Sequence, residues 1–147
     1  MLCPPCMLTD PHGTNLITRA IIGCGIRVHD VVGPGVFENV YEECMAYELT
    51  AEKLQFELQR RVPIIYKGVQ LKTLYYIDIV IEGCVVVELK SVQTLMEIHR
   101  RQVLTQLKLA NLPVGLLINF NVVRLVDGVK RVVNPKMRIE GVTDDPV

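Results

Sequence analysis

Asp78 stands inside "YYIDIVI" (75–81), and Glu88 and Lys90 stand inside "CVVVELK" (84–90). Both runs are apolar and β-branched, as strands prefer. A charge in such a run is costly unless it is paired or holds an ion. Side chains at i and i+2 of a strand share a face, so Glu88 and Lys90 project together. Glu82-Gly83 predicts a tight hairpin that makes the Asp78 strand their neighbour. Two carboxylates and an ammonium then converge at one edge of a sheet. The carboxylates repel unless a cation lies between them, and Mg²⁺ or Mn²⁺ suits hard oxygen ligands. Such an ion polarises a phosphate and acidifies water, while the lysine orients that water or balances developing charge. The chemistry is phosphodiester hydrolysis. The plain alternative is an ion pair between Asp78 and Lys90, with Glu88 in solvent.

Around these residues the chain reads as an alternation of helices and strands. Residues 1–13 contain Pro4, Pro5, Pro11 and Gly13 and read as an irregular tail. Thr14 or Asn15 would cap a helix over about 15–31, with Leu16, Ala20, Gly23 and Ile26 at helical spacing. Gly33-Pro34-Gly35 breaks it. A second helix is expected over 36–54, with Val36, Val40, Cys44, Tyr47 and Leu54 inward. Strands follow over 57–66, 71–81 and 84–90, the first ending in a Lys67-Gly68 turn. A helix over 95–111 carries Leu95, Ile98, Val103, Leu107 and Ala110. "VGLLINF" (114–120) reads as a strand covered on both faces, and "VVRLVDGVKRVV" (122–133) as a hairpin around Asp127-Gly128. This is one α/β domain, 14–135, with a mixed sheet and packed helices. Residues 136–147 read as a frayed tail.

The composition narrows the class of function. The chain has 147 residues, the size of one domain, and half are hydrophobic. Spare apolar surface points to a homo-oligomer, a dimer being the simplest. Lysine plus arginine equals aspartate plus glutamate, so bulk charge gives no support for nucleic acid, although a local patch would suffice. Five cysteines without a secretory pattern fit reduced thiols and a cytoplasmic location. Cys3-Pro-Pro-Cys6 has zinc-like spacing but no second ligand pair, and belongs with the tail. No apolar run approaches the ~18 residues of a membrane span. Gly23-x-Gly25 lies in a helix pattern rather than after a strand, so it does not read as a nucleotide cradle.

Ordered motifs along the chain resemble the GxxExxY family, a compact branch of the PD-(D/E)XK nuclease-like superfamily. They are Gly35-Val36-Phe37-Glu38-Asn39-Val40-Tyr41, "VPIIYKG" (62–68), "YIDIVIEGCVVVELK" (76–90), "HRRQVLTQLK" (99–108) and "GLLINF" (115–120). Together they span about 16–134. The resemblance implies a restriction-endonuclease-like αβββαβ core and a Mg²⁺- or Mn²⁺-dependent nuclease, with DNA the expected substrate. It implies that Asp78, Glu88 and Glu38 hold the metal and that Lys90 is the catalytic lysine. Gln102 would support the site as the glutamine of a Q-x-x-x-Y motif. The chain departs from the pattern at Ile77, in place of proline, and at Gln106, in place of that motif's tyrosine.

Other residues carry weaker expectations. Glu42 is one helical turn from Glu38 and is a candidate second acid, against a solvated acidic face with Glu43 and Glu48. Gln59, His99, Arg100 and Arg101 are candidate substrate contacts. Arg60, Arg61, Lys67 and Lys72 would form a second basic edge. Tyr41 reads as packing between helix and sheet. The competing functional class is a nuclease-fold module that binds nucleic acid or a protein without turnover.

Overall fold

Valine- and isoleucine-rich runs build the five strands of the main sheet; two helices precede them and a third lies between two of them. The computed structural model describes residues 11–139 and 141–144. The elements are α1 (Pro11–Val32), α2 (Glu38–Ala51), β1 (Phe56–Val62), β2 (Ile65–Tyr66), β3 (Val69–Gln70), β4 (Tyr75–Ile81), β5 (Val85–Lys90), α3 (Glu97–Ala110), β6 (Val114–Asn119), a 3-10 turn (Leu125–Gly128) and β7 (Val129–Val133). The main sheet runs β1-β4-β5-β6-β7. Only β5 and β6 are parallel, joined through α3, and the other pairs are antiparallel. A mixed sheet flanked by helices is the expected α/β class, consistent with a restriction-endonuclease-like core.

Every residue of β6 is buried, which explains its unbroken apolarity. Gly115 lies beneath α3, where a Cβ would run into Val103. Tyr41 is fully buried, stacks on Phe120 with ring centroids 4.2 Å apart, and donates its hydroxyl to the Gly33 carbonyl at 2.6 Å. It packs α2 onto the sheet and ties down the Gly33-Pro34-Gly35 break.

The inward faces of α1 and α2 differ from the sequence reading. In α1 the buried line is Thr14, Thr18, Ile21, Cys24 and Val28, while Leu16 is exposed. In α2 it is Tyr41, Met45 and Leu49, leaving Tyr47 76 % exposed. Both helices are apolar on several sides, so spacing alone admits more than one stripe. On α3, Ile98 faces solvent and Gln106 takes an inward position beside Val103 and Leu107.

Several boundaries also move. Helix α1 starts at Pro11, ahead of the proposed Thr14 or Asn15 cap; proline suits a first helical turn because its missing N–H has no partner there. Pro63 ends β1, and β2 and β3 continue beyond it as a short ribbon around Lys67-Gly68, both with positive φ. Residues 122–133 form the 3-10 turn and a single strand, and the antiparallel partner of β7 is β6. A two-residue hairpin needs positive φ at Asp127 and Gly128, and neither adopts it. Gly128 is required for space instead, because a Cβ there would strike the Asn119 carbonyl oxygen.

The described residues after β7 pack down rather than fray. Val142 is buried with Val114 and Val133. Asp144 accepts a 2.7 Å hydrogen bond from the Val133 N–H and a 3.3 Å bond from Arg100. The Cys3-Cys6 reading lies outside the described residues. Among the described residues no helix is long and apolar enough to cross a membrane.

Candidate active site

The site lies where the sheet ladder breaks. The β4–β5 pairing runs from Ile81↔Val85 to Ile79↔Val87 and stops at Asp78. Asp78 Oδ2 instead accepts the Leu89 N–H at 3.0 Å. On the other side, Gln59 falls opposite Asp78 between the Leu58↔Ile79 and Arg60↔Ile77 pairs. Gln59 has φ of 50°, a left-handed conformation uncommon for a non-glycine residue. Both flanking strands therefore leave regular pairing beside the same acid.

A polar network fills the gap. Glu88 is 9 % exposed, and its Oε2 accepts a 2.6 Å hydrogen bond from Gln106 Nε2. Its Oε1 lies 3.5 Å from Lys90 Nζ. Gln59 Nε2 donates to Glu42 Oε2 at 2.6 Å, and the Gln59 amide lies beside the Asp78 carboxylate and lowers its pKa. One line of contacts thus runs from Glu42 through Gln59 to Asp78, and another from Gln106 through Glu88 to Lys90. The plain alternative fails in its particulars, since Lys90 pairs with Glu88 and Glu88 is buried.

The carboxylates are held at elevated pKa. Burial raises Asp78, against the lowering effects of the Leu89 N–H, the Lys90 charge and the Gln59 amide. Burial also raises Glu88, Asp78's charge adds to it, and Gln106 and Lys90 oppose it. Folding therefore tightens proton binding at both acids. The contribution of these two acids to stability is fully present below the unfolded carboxylate range and is lost as pH rises through their raised folded values. At neutral pH the ionised pair works against folding. Asp78→Asn retains an acceptor for the Leu89 N–H and removes one charge. We expect it to raise Tm in EDTA by about 2–5 °C at pH 7.5, with the gain shrinking towards pH 4. Thermal melts across pH check this, and an unchanged or lower Tm at pH 7.5 contradicts it.

The donors suit a divalent cation. Asp78 and Glu88 offer hard oxygens close enough that one charge raises the other's pKa. The side-chain oxygens of Gln102 and Gln106 are buried without a partner, one helical turn apart. Among the described residues no three acids, cysteines or histidines gather in one cluster. Two carboxylates supplemented by neutral oxygens and water match the needs of Mg²⁺ better than an all-carboxylate cage does.

Glu38 stands at the first turn of α2, on an open cleft of about 710 Å³ with Gly35, Phe37, Ser91 and Asn121. Ser91 Oγ donates to the Val36 carbonyl at 2.9 Å, which pins this turn to the end of β5 just after Lys90. Asn119 braces the same end, accepting the Val92 N–H at 3.0 Å and donating to its carbonyl at 2.9 Å. Glu38 thus borders the cleft, whereas Glu42 is joined to Asp78 through Gln59.

The remaining candidates are occupied elsewhere. His99 Nδ1 accepts the Met96 N–H at 2.9 Å and caps α3. Arg100 bonds Asp144, and Arg101 lies 3.6 Å from Glu97. Gln106 was the residue missed, seen in the sequence only as a departure from tyrosine. Its signal was an amide inside the Val103–Leu107 stripe, where a buried polar group requires a partner.

No curated protein and no solved structure matches the chain. A family model described as the PD-(D/E)XK nuclease superfamily matches residues 15–132. With the acids and lysine gathered where β4 and β5 part, on a mixed sheet between helices, the chain belongs to the PD-(D/E)XK nuclease superfamily.

Proposed function

We propose that the protein is a Mg²⁺- or Mn²⁺-dependent nuclease that hydrolyses phosphodiester bonds in DNA, and that it belongs to the GxxExxY branch of its superfamily. The observation that carries this reading is the Asp78–Glu88–Lys90 group at the ladder break, with Glu88 buried and the other two half-buried. Asp78 and Glu88 would hold the metal, with Glu38 on α2 a further candidate ligand, and the ion would polarise the scissile phosphate and supply an acidified water. Gln106 holds Glu88 in place, and Gln59, opposite Asp78, is bonded to Glu42. Gln102 presents a second amide oxygen on the same face of α3. Lys90, held 3.5 Å from Glu88, orients the attacking water and offsets charge that builds on the phosphate oxygens.

The test is cleavage of single-stranded, double-stranded and branched DNA and of RNA, with Mg²⁺, Mn²⁺ or EDTA. Metal-dependent cutting supports the reading, and no cutting of any substrate by folded protein overturns it in favour of the binding module. The reading includes a cytoplasmic homodimer. Exposed Val31 and Tyr47, beside a groove of about 420 Å³ along α1 and α2, support a second subunit.

A further inference from the structure

Residues 58–77 contain Arg60, Arg61, Lys67 and Lys72 and no acid, in a chain with equal numbers of acidic and basic residues. The fold gathers this stretch beside the site. Tyr76 is two residues before Asp78 on β4 and shares its face. Arg61 pairs directly with Tyr76, so the next row of side chains after Gln59 and Asp78 is an arginine beside a tyrosine. Both are exposed, Tyr76 by 44 %.

The row continues outwards. Leu71 N–H donates to the Ile64 carbonyl at 2.9 Å, which closes the base of the β2–β3 ribbon just past β1 and β4. The ribbon is therefore an arm that prolongs the β1–β4 ladder away from the acids. It carries Tyr66, 60 % exposed, with Lys67 Nζ 5.5 Å from the centre of its ring. A groove of about 360 Å³ at its base is lined by Arg61 and Lys72 among others. None of the four cations makes an ion pair among the described residues.

We propose that Arg61, Tyr76 and the β2–β3 arm form a track for an unpaired nucleic-acid strand leading to or from the bond cut at Asp78 and Glu88. The proposal rests on the nuclease reading and adds its substrate class, a single strand or single-stranded overhang. Exposed aromatic faces stack on unpaired bases, and the bases of a duplex are already stacked on one another. Cations spaced between the rings follow the phosphates. Charge complementarity and direct continuity with the acids select this occupant over an apolar protein partner.

The experiment is fluorescence anisotropy in EDTA with a labelled 20-nucleotide single strand and its duplex, titrated at several salt concentrations. Tyr66→Ala/Tyr76→Ala should weaken single-strand binding by tenfold or more, since one stacked base is worth about 5- to 150-fold. Duplex affinity should stay within twofold. Tyr66→Phe/Tyr76→Phe keeps the rings and should bind as wild type, which separates stacking from loss of fold. Lys67→Ala/Lys72→Ala should lower the log–log salt slope by about 1.4. Unchanged single-strand binding in the double alanine variants, or equal losses on duplex, overturns the proposal. Hydrolysis of bis(p-nitrophenyl) phosphate by the wild-type chain with Mn²⁺ checks the nuclease reading separately, because that ester is too small to reach the arm. Its failure with strand binding intact overturns catalysis and leaves the track standing.

Discussion

Lys90→Ala should lower metal-dependent cleavage by about 10²–10⁴-fold while Mn²⁺ binding persists. In the proposed mechanism Lys90 contributes charge at the reacting phosphate and no ligand oxygen, so its loss should fall on turnover. Asp78→Asn should abolish cleavage through the opposite route, by weakening Mn²⁺ binding. Calorimetry with Mn²⁺ and single-turnover cleavage together separate the two roles. Lys90→Ala also removes the cation 3.5 Å from Glu88, which raises that acid's pKa further and makes circular dichroism a necessary control. Cleavage by both folded variants at wild-type rates would remove these residues from the mechanism.

Gly128→Ala should be the most damaging small substitution for stability, at about 3 kcal/mol or a fall in Tm of roughly 6–12 °C. The added methyl group meets the backbone oxygen of Asn119, and a backbone cannot rotate aside as a side chain can. Asn119 is also paired in register with Lys90 and braces Val92, so the strain passes directly to the end of β5. Thermal melts of the variant check the size of the effect. A Tm within 2 °C of wild type would show that the turn moves freely.

The central charged group was legible because charge inside a β-branched run is costly and therefore informative. Asp78, Glu88 and Lys90 stood out on that ground alone, and the hairpin placed them together. The order of elements was legible for the same reason, since turn residues and strand periodicity agree along most of the chain. The inward faces of α1 and α2 were not, because helices apolar on several sides fit more than one stripe. Gln106 was hidden by comparison with a tyrosine motif, although its place on the α3 stripe marked it as a buried amide in need of a partner. Asp127-Gly128 misled for a subtler reason: its glycine is there for a close approach and not for positive φ. The network through Gln59 depends on a left-handed residue within a strand, which no spacing rule announces.

The Leu89 N–H, which leaves the sheet ladder to bond the Asp78 carboxylate, gives the protein a spectroscopic reporter. Its chemical shift is set by the charge on a single acceptor oxygen rather than by a neighbouring strand. As Asp78 gains a proton, that resonance moves while the amides paired along Ile79–Ile81 stay still. A cation held as proposed on the same carboxylate would move it too. One backbone signal in a heteronuclear correlation spectrum would therefore follow protonation and the proposed metal loading, without a substrate and without turnover.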